Sequence, residues 1–298
     1  MPLTEISFWR DRFTGRSLYD TFLNLFIYSN VWVAGAIASL VFFVQHTLGL
    51  AWQWQPMLLI FTAALIPYNL DRVIDTYVQK IPDQRAQAFF QQSGVVILLG
   101  LASLSLAWLI YQAPVRVRWV CLGGLVPLIY GIPLWPIYRQ SEWRWYRLKD
   151  IPGAKAWIVA GTITYAVVAV PLAYTEHPFD LASGLVSLFL LIFIGSNSHT
   201  FDIRDVVSDR HQGVFTMPVL WGVANTRRFW TGANLLLLCL LTAGWGQDWQ
   251  IPAPVVVLPS VVLTLIYLWQ VEPETPRNAY SIWVDGILVV PALLSLID

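Results

Sequence analysis

Leu185-Val186-Ser187-Leu188-Phe189-Leu190-Leu191-Ile192-Phe193-Ile194-Gly195 leads, two turns later, into Asp202-Ile203-Arg204-Asp205-Val206-Val207-Ser208-Asp209-Arg210. The first run is too apolar to be anything but a membrane span. The second sets carboxylates at i, i+3 and i+7, on one face of a helix. Like charges gathered at a membrane boundary repel unless a cation collects them. A hard divalent cation carrying a phosphate group answers that requirement best. A smaller cluster, Asp71-Arg72-Val73-Ile74-Asp75, follows a second apolar run, Leu58 to Ile66. Two acidic helix ends suggest a diphosphate held between metal ions.

Composition sets the class. The 298 residues are 57% hydrophobic and 12% charged, whereas a soluble domain carries about 25% charged residues. Mean hydropathy is +0.59. The chain reads as a polytopic, all-α membrane protein in one domain, residues 1–298, whose element lengths the bilayer sets. Net charge is zero and no basic stripe is present, so nucleic acid is not an expected partner. Cys121 and Cys239 lie in apolar runs, which argues against a disulfide framework or a zinc site. Met1 to Thr21 has no apolar core of a cleavable signal, so the first span is expected to act as its own insertion signal.

Nine spans are expected, at 24–45, 56–75, 93–113, 117–136, 154–174, 180–202, 229–247, 252–270 and 279–297. Pro127, Pro133 and Pro136 interrupt the fourth. Of the 18 Lys and Arg residues, only Arg116 and Arg118 fall outside the N-terminus and the loops that follow even-numbered spans. The positive-inside rule puts those loops, both acidic clusters and the N-terminus in the cytoplasm, and the C-terminus on the opposite side. Trp52, Trp54, Trp108, Trp119, Trp135, Trp143, Trp145, Trp230, Trp245 and Trp249 fall near span ends and read as interfacial belts. Thr4 to Phe22 reads as an interfacial lead-in helix.

The chemistry follows from the charges. A diphosphate leaves readily only when its charge is neutralised, and magnesium does so by bridging carboxylates to phosphate oxygens. Asp71, Asp75, Asp202, Asp205 and Asp209 are the candidate metal ligands and catalytic groups. Arg72, Lys149, Lys155, Arg204 and Arg210 are candidates for the diphosphate. The matching reaction is ionisation of an allylic diphosphate and attack by an acceptor. Tyr68, Tyr77, Tyr130, Tyr165 and Trp157 could face the cationic centre. Each has a plainer alternative. Arg147, Lys149 and Lys155 also fit simple positive-inside topology. His199, a turn before Asp202, fits a hydrogen-bonded structural role. Asn30 and Asn197 fit interhelical bonding. Asp285, deep in the apolar run Ile282 to Leu294, is a further site candidate by its position.

These clusters resemble the two aspartate-rich motifs of the UbiA-type intramembrane prenyltransferases. Asp202, Asp205, Asp209, Arg210 and Gly213 match the second motif, D-x-x-D-x-x-x-D followed by R and a nearby G. Thr216-Met217-Pro218-Val219 with Gly222 is similar to the T-L-P-V…G continuation. The first motif, N-D-x-x-D-x-x-x-D, matches at Asp71 and Asp75, but its leading pair falls on Pro67 and Tyr68. Asn69 comes two positions late. Phe215 stands where the family often has a basic residue, and Lys149 and Lys155 lie where it often has a lysine.

The resemblance implies nine helices, Mg2+ as cofactor, and transfer of a prenyl group from a prenyl diphosphate to an apolar or aromatic acceptor among membrane lipid. The departures in the first motif keep two alternatives open, a terpene cyclase of the same fold and a non-catalytic lipid-binding or assembly protein.

Overall fold

The computed structural model describes residues 15–78, 93–129, 135–139, 142–146, 148, 151–247, 249 and 251–298. Helix α1, Gly15–Phe22, runs into a wider π-helical turn, Leu23–Tyr28. Asn30, with φ of 58°, breaks the path, and α2 begins at Val31 and runs to Thr47. Then come α3 (Gln55–Val78), α4 (Ser93–Gln112), α5 (Val115–Cys121) and α6 (Leu125–Ile129). Two strands, β1 (Trp135–Arg139) and β2 (Glu142–Tyr146), pair antiparallel as a short ribbon. The chain continues through α7 (Ala154–Tyr174), α8 (Leu181–Arg204), α9 (Val206–Gln212) and α10 (Met217–Trp221). It ends with α11 (Val223–Trp245), α12 (Pro254–Gln270) and, after several short turns, α13 (Val290–Leu294).

This is an all-α membrane fold. Among the described residues α7, α8 and the Gly94–Gln112 stretch of α4 are long and apolar enough to cross a bilayer. Helices α2, α12 and the Gln55–Leu70 part of α3 are apolar but shorter.

Three expected spans are not single helices, the first being 24–45, which is the π turn Leu23–Tyr28 and α2 parted at Asn30. The stretch expected at 117–136 is α5, a tight 3-10 turn at Leu122–Gly124, and α6, with β1 starting at Trp135. Paired glycines weaken a helix, and Pro127 brings no N–H to its ladder. The segment expected at 279–297 is a π stretch at Tyr280–Val284, a 3-10 turn at Ile287–Val289, and α13. Here neighbouring helices take the carbonyls. Trp32 Nε1 donates to Ile282 O at 3.2 Å and Asn197 Nδ2 to Val284 O at 2.5 Å. Irregular backbone inside a membrane protein requires such partners.

Helix α8 is the centre of the bundle, with α7, α11 and α12 packed around it. Its apolar half fills the core: Phe189 meets Phe43 of α2 at 5.5 Å and stacks on Phe193 at 5.6 Å. Its other half is polar and still buried, from Ser196 to Thr200. Lipid offers no hydrogen bonds, so partners come from protein. Ser196 Oγ donates to Ile192 O at 2.8 Å and accepts from Asn234 Nδ2 of α11 at 2.9 Å. Thr200 Oγ1 donates to Ser196 O at 2.8 Å. A second buried polar knot ties α2 to α3. Asn30 Nδ2 donates to Asn69 Oδ1 at 3.1 Å, and Asn69 Nδ2 donates to Ser29 O at 3.0 Å.

Candidate active site

The acidic segment keeps helical spacing through the end of α8. Asp205 closes α8 and opens α9, its N–H reaching Phe201 O at 3.0 Å, and Asp209 N–H reaches Asp205 O at 2.8 Å. Gly213, with φ of 71°, then turns the chain, a left-handed conformation that glycine adopts without strain. The returning segment lies under the start of α7, where Gly153 N–H donates to Phe215 O at 2.6 Å. That tie carries Lys155, in the first turn of α7, to the aspartates.

Lys155 Nζ lies 3.3 Å from Asp202 Oδ1, and 3.2 and 3.3 Å from the two oxygens of Asp209. Asp202 and Asp209 are 3% and 5% exposed, so both carboxylates need a partner cation. Asp205 is turned elsewhere, taking Arg204 in a two-point contact of 2.8 and 2.8 Å. The Arg204 guanidinium lies over the Phe201 ring at 4.9 Å and the Tyr280 ring at 5.6 Å. Burial raises the Asp209 carboxyl above its ordinary range despite the Lys155 charge. Burial also opposes ionisation of Asp205, but the Arg204 hydrogen bonds and charge outweigh it and hold the carboxyl low.

Behind Asp202 lies an aromatic wall. The His199 ring is fully buried, 4.7 Å from Trp230 and 5.3 Å from Trp157. Its Nδ1 is 2.9 Å from Gly195 O, which places the proton on Nδ1 and leaves Nε2 without a protein partner. Trp230 can approach because position 195 is glycine: a Cβ there would stand 2.5 Å from the indole. Trp230 is thus wholly buried and not the interfacial residue its sequence position suggests.

Candidates from the sequence separate clearly. Asp202, Asp205, Asp209, Lys155 and Arg204 come together. Arg210 is exposed on α9. Asn69 is committed to the knot between α2 and α3, and Tyr68 packs half-buried against the core. Asp285 is half-buried and interacts electrostatically with Arg204. Asp71, Arg72 and Asp75 fall on α3, with side chains outside the described residues, as is Lys149 entirely. Tyr280, stacked beside Arg204 and donating to Glu272 O at 2.9 Å, was not anticipated. It lies too far along the chain for any local signal to find it.

A metal fits this donor set in kind. The oxygens are hard, and two carboxylates already share one cation. Among the described residues no three His, Cys, Asp or Glu side chains gather closely enough to hold a metal, and Asp205 is bound to Arg204.

Fold and site together define a polytopic helical membrane protein with an acidic helix end at its centre. The UbiA prenyltransferase family profile matches residues 25–284, and the chain belongs to that family. It is 28% identical over 117 residues to a digeranylgeranylglyceryl phosphate synthase of Haloquadratum walsbyi, a match covering 37% of this chain and 39% of that one. The chain thus spans about two-fifths of the length of that relative. A UbiA homolog from Archaeoglobus fulgidus, bound to DMAPP and Mg2+, superposes with a TM-score of 0.61 at 11% identity, covering 93% of this chain and 98% of that one. A UbiA homolog from Aeropyrum pernix in its apo form gives 0.59 at 13% identity, covering 88% and 96%. A solved digeranylgeranylglyceryl phosphate synthase gives 0.57 at 12% identity, covering 93% and 96%. At these identities the superpositions speak to the fold.

Proposed function

We propose that this protein transfers a prenyl group from a prenyl diphosphate to an apolar or aromatic acceptor in the membrane, at a magnesium-dependent site on the cytoplasmic face. One observation carries the reading: Asp202, buried at the end of α8, and Asp209, buried on α9, converge on a single cation, the Lys155 ammonium. Hard oxygens in that arrangement suit a metal that holds a diphosphate. Magnesium, when bound, neutralises the charge that builds on the diphosphate as it leaves.

The rest belongs to the chain. Asp202 and Asp209 supply the carboxylates on one side, with Asp205 beside them on Arg204, and Asp71 and Asp75 supply those at the end of α3. Arg72, Lys149, Lys155 and Arg210 contact phosphate oxygens, and Arg204 keeps Asp205 ionised and aimed. The bond between the allylic carbon and the diphosphate oxygen breaks, and its electron pair leaves with the diphosphate. An electron pair of the acceptor forms the new bond to that carbon, and the acceptor gives up a proton. The prenyl chain lies among the apolar helices, where water cannot capture the cationic centre. The expected orientation, with the N-terminus in the cytoplasm and the C-terminus opposite, would put the acidic helix ends where soluble diphosphates and magnesium are at hand.

The test is diphosphate release from geranyl, farnesyl, geranylgeranyl and phytyl diphosphates by purified protein in detergent, with a membrane extract as acceptor source. Magnesium-dependent release, lost in Asp202→Ala, is the expected result. A prenyl product formed without acceptor would instead mark a cyclase. Absence of both release and magnesium-dependent diphosphate binding in folded protein would overturn the reading in favour of a non-catalytic membrane protein.

A further inference from the structure

Lys155 stands where a metal ion would have to go. Its ammonium touches Asp202 at 3.3 Å and both oxygens of Asp209 at 3.2 and 3.3 Å. Magnesium binds carboxylate oxygen at about 2.0–2.1 Å. An ion at that distance from the same oxygens would sit within a few ångströms of the ammonium, in a site of low dielectric where like charges repel strongly. Metal and ammonium therefore exclude one another. The third carboxylate offers no relief, because Arg204 already holds Asp205 at both oxygens.

The lysine is able to leave. Its side chain is 27% exposed, while Asp202 and Asp209 are at 4% and 7%. It is the second residue of α7, just after Gly153, and its four-carbon stem is flexible. Among the described residues it is paired with Asp202 and Asp209, and to leave them it needs another anion. A diphosphate supplies one, and it arrives with metal.

We propose that Lys155 is a resident counter-ion that orders assembly of the site: it closes Asp202 and Asp209 to free metal and gives way only when metal comes with diphosphate, onto which the ammonium moves. This rests on the reading that the site takes a metal diphosphate. Its consequence is positive coupling. Free divalent metal binds poorly, diphosphate improves metal binding, and Lys155 is the residue through which that coupling acts.

The experiment is a binding measurement that needs no turnover. Mn2+ affinity of the purified protein would be read by electron paramagnetic resonance, with and without inorganic pyrophosphate, for wild type, Lys155→Gln and Lys155→Arg. In the wild type, pyrophosphate should tighten Mn2+ binding by about ten-fold or more. Lys155→Gln, whose amide still bonds the carboxylates, should bind Mn2+ tightly without pyrophosphate and lose most of the enhancement. Lys155→Arg should keep free Mn2+ binding weak. Should Lys155→Gln fail to fold, Asp209→Asn with and without Lys155→Met repeats the comparison with one carboxylate fewer to neutralise. The double variant should then bind free Mn2+ more tightly than Asp209→Asn alone. Free Mn2+ affinity that is unchanged or weaker when Lys155 is replaced overturns the proposal, even if prenyl transfer is found. Coupled Mn2+ and pyrophosphate binding without diphosphate release from any donor would overturn the proposed reaction and leave the role of Lys155 standing.

Discussion

Helices α4 and α8 are both long, apolar and free of charge over most of their length, yet they live in different surroundings. In the most apolar 18-residue window of α4, 17% of residues are buried, against 67% in α8. In α4 only a stripe is covered, with Val95, Ala102 and Leu109 inside and Val96, Ile97, Leu101, Leu104 and Trp108 outside. That open apolar surface suits hydrocarbon. In α8 the apolar half is core and the polar half is buried too. Hydropathy identifies a span; polar residues within it identify the span that other helices must enclose. The less apolar of the two helices is therefore the central one, and its end carries the candidate site.

The comparison breaks most visibly if the two helices tolerate the same changes. Asp202→Ala removes one of the two carboxylates that share Lys155 and should cut magnesium-dependent diphosphate release on the order of 100-fold or more. Leu104→Ala, on the open face of α4, should leave release within about two-fold, as surface changes away from special features do. Steady-state release assays on both variants decide it. Comparable losses would mean that α4 also faces the site.

A glycine in each helix gives the next largest contrast. At Gly195 an added Cβ would lie 2.5 Å from Trp230, itself locked against His199 and Trp157. Gly195→Ala should cost about 1–3 kcal/mol through overpacking. At Gly100 of α4 nothing lies within 4 Å of an added Cβ, so Gly100→Ala should be neutral or stabilising by up to about 1 kcal/mol. Thermal unfolding in detergent should therefore lower the midpoint for the first variant and not for the second. A drop in both would show that the outer face of α4 is covered by something in the purified particle.

How much of this was legible in the sequence follows from distance along the chain. The spacing of Asp202, Asp205 and Asp209 is local, so helical periodicity put them on one face without knowledge of any neighbour. The pairing was not legible: Arg204 and Arg210 read alike as phosphate contacts, but Arg204 is spent on Asp205 and Tyr280, 76 positions away by number. Lys155 was a candidate by its place after the fourth span, yet its seat between two aspartates depends on the Gly153 to Phe215 tie. Trp230 read as interfacial because it stands near a helix start. What buries it is Gly195, on another helix, whose missing side chain leaves no hydrophobic signal. Asn69 stood near a degenerate motif and is occupied by Asn30 and Ser29. Pro127, Pro133 and Pro136 marked the fourth span as interrupted but did not say that the helix would be broken and followed by a ribbon.

The smallest effect lies at the other end of α8, where a fourth aspartate has a different task. Asp180 caps the helix: its Oδ1 accepts from Ser183 N–H at 2.9 Å, and its own N–H donates to Ser183 Oγ at 3.0 Å. The two groups satisfy each other's free donors, as a capping box does. Hydrogen bonds from the Ser183 hydroxyl and N–H favour the charged form and lower the Asp180 carboxyl below its ordinary range. Replacement by alanine should cost about 1 kcal/mol of stability and leave magnesium-dependent diphosphate release at the wild-type level. The two readouts must separate. A change in release at saturating magnesium would mean that the capped end and the acidic end of α8 communicate, and that the helix is not the rigid post its buried core implies. Unaltered release with a lowered unfolding midpoint would assign the two acidic ends of one helix to separate tasks, one holding the span together and the other gathering cations.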